Sequence, residues 1–489
     1  MKSNLLIKIK TLLNKLSAKQ IIFLCFCLLA LFINGYAIVK EFPIVPILTG
    51  GMLLVYLLIF RVDLAIYLMA LCTPFSLAMQ SKDIHLGLSF PAEIIMIALT
   101  LLFICRVFID VKIDRKLAVH PISIAMYVYL GWMLFTCITS EIPVVSIKFW
   151  LSKIWFTTSC YWVVVQFIKK DNRNILRYFN CYAISLAIVV LITTYKHALS
   201  GFDDQYAHWV MSPFYNDHTA YGCVLAFFIP ITASCFFLPK NNRLQQIFYA
   251  LLTGIMLVGF YFSYSRAAWI SLVVAIGVFV VLKLRIKLSW LIVGGGLVGS
   301  LLYFSADEIL YKMSRNSQDA KGGVVELVQS ISNISTDASN VERLNRWNSA
   351  FSMIKERPIV GWGPGCYQFT YAPFQKTQFK TIITTNFGDG GNAHSEYIGP
   401  CAETGIPGML TVFGLLFVSL FTGIRTYTHC QDKTDKLLCL MMTLALITYF
   451  VHGSLNNFLD TDKLSLPFWG AFAVIAVINS KHKQNLLQS

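Results

Sequence analysis

Apolar stretches of about 18 or more residues, each long enough to cross a hydrocarbon core as an α-helix, recur along most of the chain. Short polar loops separate them, and one polar segment, from about 305 to 396, is much longer than the others. The pattern predicts an all-α polytopic membrane protein, a bundle of about 12–14 transmembrane helices with one long segment outside the membrane. The apolar stretches lie near residues 20–39, 42–60, 63–80, 90–109, 121–140, 149–168, 178–196, 219–238, 246–263, 267–282, 288–304, 400–424, 437–452 and 464–479.

The long polar segment divides the chain into three predicted parts. Residues 1–304 form an N-terminal transmembrane part, 305–397 a long segment on the non-cytoplasmic side, and 398–489 the C-terminal transmembrane helices with a short cytoplasmic tail. Lysine and arginine concentrate in alternate loops, which the positive-inside rule assigns to the cytoplasm. This distribution predicts that both termini are cytoplasmic and that the long segment lies on the opposite side of the membrane.

The composition agrees with a membrane protein. Of the residues, 56% are hydrophobic and 13% charged, whereas soluble domains carry about 25% charged residues. The net charge of +15 resides in loops without a nucleic-acid-binding motif, so no nucleic-acid partner is predicted. The thirteen cysteines lie mostly in apolar stretches without CxxC or Cys/His ligand spacing, so neither a zinc site nor a disulfide framework is predicted. Cleavage of the first apolar stretch as a signal peptide is left open.

A histidine, His394, lies in a glycine-containing sequence at the end of the long polar segment. Its side chain can accept and donate a proton near neutral pH, and glycines let a substrate approach the backbone. We interpret this sequence, with Asn392, as the floor of an active site in which His394 is catalytic. The carboxylates of Glu396 and Glu403 follow, and they either orient the histidine or cap the next helix.

Three arginines are candidates to bind an anionic substrate. Arg266 lies in a very short turn between two apolar stretches, and a guanidinium can hold a phosphate with paired hydrogen bonds. The alternative for Arg266 is an interfacial arginine that extends toward water. Arg343 and Arg346 are three residues apart on a predicted helix, so they are neighbours there. The alternative for this pair is a solvated helix face with Glu342 as partner.

Two further polar clusters carry weaker predictions. His218 is a second imidazole on the same side of the membrane and a supporting candidate, next to Asp217 as a predicted helix cap. Asp460 and Asp462 could ligate a divalent cation. The favoured interpretation is a loop whose carboxylates cap the last helix and pair with Lys463, so neither a metal nor another cofactor is predicted.

Together these residues indicate an anionic donor embedded in the membrane. No phosphate-binding Gly-x-x-x-x-Gly-Lys-Ser loop is present, so nucleotide hydrolysis is not predicted. A glycan linked to a lipid diphosphate fits, because its leaving group is already activated and lies at the bilayer surface.

The same residues resemble the O-antigen ligase and polymerase family of bacterial envelope glycan assembly. The resemblance covers roughly residues 210–480, and the motifs occur jointly and in the family's order. The matching segments are Ser265–Trp269, Arg343–Trp347, Pro358–Gly365, Asn392–Tyr397 and Glu403–Gly408.

The resemblance implies a GT-C-like transferase in the inner membrane that moves a glycan from undecaprenyl diphosphate to an acceptor on the periplasmic face. The acceptor is the lipid A core in ligases and another lipid-linked repeat unit in polymerases. By resemblance, Arg266 and Arg343 bind the diphosphate, with Arg346 beside them, and His394 activates the acceptor hydroxyl. Ser395 stands where the family often has asparagine.

We therefore expect an O-antigen ligase whose reaction is metal-independent and inverts the anomeric centre. An O-antigen polymerase, a protein O-oligosaccharyltransferase and a flippase of lipid-linked sugars remain alternatives. A flippase would favour charges in the middle of its helices and repeated halves, and the sequence has few such charges and no evident internal repeat.

Overall fold

A computed structural model describes residues 18–42, 44–80, 87–109, 113–203, 206–287, 289–290, 300, 338–376 and 391–488 of the chain. These residues form two compact units that divide between Ala65 and Ile66. The first unit contains helix α1 (Ala18–Val39), helix α2 (Ile44–Phe60) and the start of α3 (Val62–Cys72). The candidate site residues all belong to the second unit.

The second unit consists almost entirely of helices. After α3 come strands β1 (Leu77–Gln80) and β2 (Gly87–Phe90) and then helices α4 (Ala92–Ile109), α5 (Arg115–Ala118), α6 (Pro121–Ile138), α7 (Pro143–Thr157), α8 (Val164–Lys170), α9 (Arg173–Leu199), α10 (His218–Phe236), α11 (Arg243–Tyr261), α12 (Arg266–Leu284), α13 (Ala338–Glu356), α14 (Tyr367–Thr370), α15 (Ile398–His429), α16 (Lys433–His452) and α17 (Asp462–Gln488). A six-residue π-helical segment, Thr158–Val163, connects α7 to α8.

The predicted fold class is confirmed. Within the described ranges, nine helices are long and apolar enough to cross a membrane, and three shorter apolar helices accompany them. The apolar stretch predicted at 288–304 lies almost wholly outside the described residues, so the number of 12–14 crossings stays a prediction.

One predicted crossing, 63–80, differs from the structure. Helix α3 ends at Cys72, and a 3₁₀ turn that contains Pro74 follows it. Proline has a fixed φ and no N–H to donate, so it stops the helix. The chain then forms β1, which pairs antiparallel with β2 in the register Leu77 opposite Phe90.

Helix α17 forms the centre of the second unit, because its apolar stretch is wholly buried. It packs against α15, α16 and the π-helical segment. Helices α10 and α16, which are mostly buried, pack against each other. Helices α10, α12 and α17 begin, and α16 ends, at the same end of this bundle, and that end carries the candidate site.

Helix α15 is broken near its start. Gly405 has φ 74° and ψ 177°, a conformation that is open essentially to glycine alone. The break leaves backbone carbonyls of the preceding turn without helical partners. Backbone N–H groups of the segment 358–363 donate hydrogen bonds to these carbonyls instead. Trp362 N–H donates to Ala402 O at 3.1 Å, and Gly363 N–H donates to Glu403 O at 2.7 Å. The two glycine-rich motifs of the sequence are thus packed side by side.

Replacement of Gly405 by alanine is expected to destabilise the fold by about 1–3 kcal/mol through the backbone conformation alone, because this conformation is unfavourable for other residues. A Cβ at this position would also lie 2.0 Å from the carbonyl oxygen of Ile359. Thermal unfolding of the purified protein in detergent measures the effect. Gly414→Ala is the matched control, since Gly414 lies in the same helix with open space around it. Equal unfolding temperatures for the two variants would contradict the prediction.

Candidate active site

The backbone conformation around His394 determines the direction of its side chain. His394 has φ +47°, in the left-handed region where histidine occurs more often than most residues. Its N–H donates to Oδ1 of Asn392 at 3.0 Å. The Ser395 Oγ accepts from the N–H groups of Tyr397 at 3.2 Å and Ile398 at 3.3 Å, so this serine stabilises the turn that leads into α15. Asn392 therefore supports the turn that presents His394.

The imidazole of His394 hydrogen-bonds the side chain of Asn456, in the loop between α16 and α17. The Nδ2 of Asn456 lies 3.2 Å from Nε2 of His452, which is fully buried. An amide nitrogen only donates and an amide oxygen only accepts. Asn456 therefore donates to His452, and its hydrogen bond to His394 raises the pKa of that imidazole, as expected when the amide oxygen accepts a ring N–H and the other ring nitrogen keeps its lone pair.

Arg343 and Arg346 both come from α13, but their surroundings differ. Arg343 is half-buried, donates to Leu455 O at 3.3 Å and to Asn340 Oδ1 at 3.2 Å, and so lies beside the Asn456 loop. The Nε of Arg346 donates to Glu342 at 2.6 Å, and its guanidinium lies 4.2 Å from the centroid of the Tyr371 ring. The pairing of Arg346 with Glu342 is confirmed, but for this residue the alternative of a solvated face is wrong, because Arg346 and Glu342 are each 4% exposed.

Arg266 and His218 lie at the starts of neighbouring helices, α12 and α10. Helix α10 packs closely on the turn before Arg266, where a Cβ on Gly222 would lie 2.7 Å from the Cβ of Ser265. The Nδ1 atoms of His218 and His208 are 3.1 Å apart, so one imidazole donates a hydrogen bond to the other. Asp217 accepts the N–H of Ala220 at 2.7 Å, which confirms it as the helix cap.

The charges of these groups act on one another. Burial, then the positive charges of Arg343 and Arg346, lower the pKa of His394 to about 4, against the opposite effects of Asp217 and the Asn456 hydrogen bond. His394 is therefore neutral near pH 7, the state that a general base requires. Arg343 and Arg266 also act electrostatically on His218. The structure thus brings together the residues predicted from distant parts of the sequence.

A cavity of about 400 Å³ adjoins this cluster. Its wall includes Asn392 and Ala393, which precede His394, although the imidazole itself is not part of the lining. Several of the other lining groups are carboxylates and aromatic rings, namely Asp217, Glu396, Glu403, Asp460, Tyr129, Trp132, Phe149 and Tyr367. His394 therefore lies between an arginine-containing cluster and an acidic, aromatic cavity.

The two glutamates that were predicted to support His394 instead form hydrogen bonds within the cavity wall. Glu396 accepts hydrogen bonds from the Tyr449 hydroxyl and from Leu459 N–H at 3.0 Å. Glu403 accepts the N–H of Tyr367 at 3.2 Å. The first turn of α15 contains no acidic residue and the partner of the His394 imidazole is Asn456, so the glutamates fill neither role that the sequence suggested for them.

Glu396 is expected to make the fold less stable as the pH rises. Burial, then the nearby charge of Asp460, raise the pKa of Glu396 from its ordinary value near 4.5 to about 7. A carboxyl group with a raised folded-state pKa stabilises the fold fully below pH 4.5, and this contribution is lost as the pH rises through 7. Wild type should therefore lose on the order of 2–3 kcal/mol relative to Glu396→Gln between these pH values.

Thermal unfolding of both proteins from pH 4.5 to 8 measures this difference. Glutamine retains the side-chain oxygen that accepts from Tyr449 and Leu459, so the variant removes the titration while it keeps the hydrogen bonds. Parallel stability curves over the whole range would contradict the raised pKa.

The cavity wall contains a buried ion pair that was not predicted from the sequence. Lys153 is 3% exposed, and its Nζ lies 2.5 Å from Asp460 Oδ1 and 3.0 Å from Leu459 O. The predicted pairing of Asp460 with Lys463 is wrong. Lys463 Nζ donates to Ser76 O at 2.7 Å. The signal that could have found the pair is an ionisable residue inside an apolar stretch, which usually has a functional or structural partner.

The two aspartates of the same loop serve different partners. The Asp462 carboxylate accepts the hydroxyl of Ser76, near β1, whereas Asp460 faces Lys153. Among the described residues, no group of three or more His, Cys, Asp or Glu side chains could hold a metal ion. Asn456 and His452 were also missed, because neither residue stands in a motif that marks it as a partner of His394.

Comparison with known proteins agrees with the resemblance. Residues 251–413 match the O-antigen ligase family, and this stretch contains Arg266, Arg343 and Arg346, together with His394, but not His218. The match supports the O-antigen ligase and polymerase family for this chain. With the nine apolar helices, it also supports a multi-pass protein of the bacterial inner membrane.

A protein of Haemophilus influenzae, described as an uncharacterized protein, is also similar. It is 22% identical over 261 residues, which cover 52% of this chain and 62% of the relative. The chain therefore aligns with less than two thirds of that relative's length.

Proposed function

We propose that this chain, whose residues 251–413 match the O-antigen ligase family, transfers a glycan from undecaprenyl diphosphate to the lipid A core on the periplasmic face of the inner membrane. The observation that carries the proposal is the position of His394. A neutral imidazole, oriented by Asn456, lies beside Arg343 on one side and near a cavity of about 400 Å³ on the other. Such an arrangement suits a base between an anionic leaving group and a hydroxyl-bearing acceptor.

In the proposed reaction, the acceptor hydroxyl oxygen attacks the anomeric carbon of the donor glycan. The bond from that carbon to the diphosphate oxygen breaks, and the hydroxyl proton passes to His394. Attack opposite the leaving group inverts the anomeric centre. The negative charge that develops on the departing diphosphate is stabilised by Arg343 and Arg266, so the positive charge comes from the protein rather than from a metal. Arg346, already paired with Glu342, helps to maintain this positive potential.

The acidic cavity is the proposed site of the glycan acceptor. Carboxylates such as Glu403 accept hydrogen bonds from sugar hydroxyls, and rings such as Trp132 can pack against sugar faces. These groups suit the uncharged hydroxyl groups of a glycan better than a free anion. The cavity therefore favours transfer of a glycan over hydrolysis of a nucleotide or binding of an anion.

Donor binding is expected to change the pH dependence of the reaction. The positive charges of Arg343 and Arg346 help to lower the pKa of His394 to about 4 in the free protein. A bound diphosphate offsets these charges, so it should raise that pKa. The acidic limb of kcat, which reports the complex, should lie at higher pH than that of kcat/KM, which reports the free enzyme. Coincident limbs would contradict the proposed position of the diphosphate.

A ligase and a polymerase differ in their acceptor, and an envelope glycan gel of a deletion strain separates them. Bare lipid A core with long glycan left on the lipid carrier supports the ligase. Core capped by a single repeat unit, without long chains, supports the polymerase. An unchanged glycan ladder together with the loss of a glycoprotein would indicate that the acceptor is a protein. Donor that is retained on the cytoplasmic side would favour a flippase.

A further inference from the structure

A second large cavity, of about 660 Å³, opens at the end of the bundle opposite the candidate active site. It lies among α10, α11, α12 and α16, and its walls are mostly apolar. Phe237 and Ile276 in its lining are 70% and 54% exposed, so the cavity opens laterally. Its size is within the range of about 300–1,000 Å³ that is usual for small-ligand sites.

The depth of this groove matches one leaflet of a bilayer. Along α12 it runs from Lys283 to Leu272, and a rise of 1.5 Å per residue makes this distance roughly 16 Å. Half of a hydrocarbon core of about 30 Å has the same length. An acyl chain could therefore lie along the groove with its headgroup at the level of Lys283.

The mouth of the groove is positively charged. Lys283 and Lys433 are exposed, and Lys436 Nζ lies 5.2 Å from the centroid of the Tyr427 ring. Among the ion pairs of the described chain, none includes any of these three lysines. The nearby Asp435 is already paired with Lys481 at 2.7 Å. The three lysines are thus placed to receive an anionic headgroup.

We propose that this groove binds a glycerophospholipid with an anionic headgroup, such as phosphatidylglycerol, from the leaflet opposite the candidate active site. The acyl chain packs against α10, α12 and α16, and the headgroup phosphate contacts the three lysines. Basic pockets between membrane helices commonly hold anionic lipid headgroups in this way. The polyprenyl donor does not explain the lysines, because its diphosphate belongs at the end of the bundle that carries His394.

Native mass spectrometry of the full-length protein, released from nanodiscs that contain equal amounts of phosphatidylglycerol and phosphatidylcholine, tests this proposal. Wild type should retain phosphatidylglycerol in preference to phosphatidylcholine. Replacement of Lys283, Lys433 or Lys436 by glutamine should weaken retention about fivefold each, and the triple variant should lose the preference. Lys170→Gln is the matched control, an exposed lysine at the same end of the bundle but outside the groove.

A variant that fills the groove separates headgroup binding from chain binding. Ala233 is half-buried in the groove wall, so Ala233→Trp should displace phosphatidylglycerol while all three lysines remain. Equal retention of the two lipids by wild type, or full retention by the triple lysine variant, would overturn the proposal. Recovery of a polyprenyl lipid from the groove in place of a phospholipid would overturn it as well.

Discussion

Replacement of His394 by alanine is expected to lower the rate of glycan transfer by about 10²–10⁴-fold, the usual contribution of a general base. The acceptor hydroxyl then has no positioned group to take its proton. Donor binding should change little, because Arg343 keeps its contacts with Asn340 and with the Leu455 carbonyl. Transfer assays with the purified variant in liposomes, together with donor-binding measurements, separate these two effects.

His429→Ala is the control for the loss of a histidine. His429 is exposed at the far end of α15, where its ring contacts Thr428 and the Arg425 carbonyl. This variant should transfer glycan at the wild-type rate. If His394→Ala were equally active at the same protein level, the assignment of the general base would be wrong.

Conversion of Arg343 to lysine is expected to reduce transfer by about 10²–10³-fold, comparable to the loss of one preorganised donor in a transition-state site. Lysine keeps the charge, but it cannot hold a diphosphate with the paired geometry of a guanidinium. A change to glutamine removes the charge as well, and should raise the pKa of His394, which the Arg343 charge lowers. The acidic limb of kcat/KM should then move to higher pH.

Arg357→Lys is the matched control for this substitution. Arg357 follows the same helix, α13, but its guanidinium pairs with Glu141 at 2.8 Å and lies 4.1 Å from the Trp362 ring centroid. Loss of one such partly exposed ion pair should leave transfer nearly unchanged. Equal activity of Arg343→Lys and Arg357→Lys would remove Arg343 from the diphosphate site.

The fold class could be predicted, and the central residues of the candidate site could be proposed, because both depend on local patterns. Apolar stretches of membrane-crossing length leave few alternatives to a helix bundle. His394 and Arg343 stand in polar sequences where such residues are conspicuous. Gly405 and Gly361 could be identified as a turn-rich region, but the pairing of their two segments depends on a break in α15 that the sequence does not specify.

The rest of the site depends on contacts between distant parts of the chain. Asn456 and His394 belong to different loops, and only the packing of α15, α16 and α17 brings them together. Lys153 and Asp460 are 307 positions apart, and no pattern in the sequence links them. Hydrogen-bonded partners of this kind have no sequence periodicity, so the orientation of His394 and the walls of its cavity could not be predicted.

The most direct test of the account is a transfer reaction with purified protein, a defined undecaprenyl-diphosphate-linked glycan and lipid A core in liposomes. Wild type should release undecaprenyl diphosphate and form glycan-linked core with inverted anomeric configuration, and His394→Ala should form both products about 10²–10⁴-fold more slowly. Release and transfer by His394→Ala at the wild-type rate, or movement of intact donor across the membrane without any bond cleavage, would contradict the account.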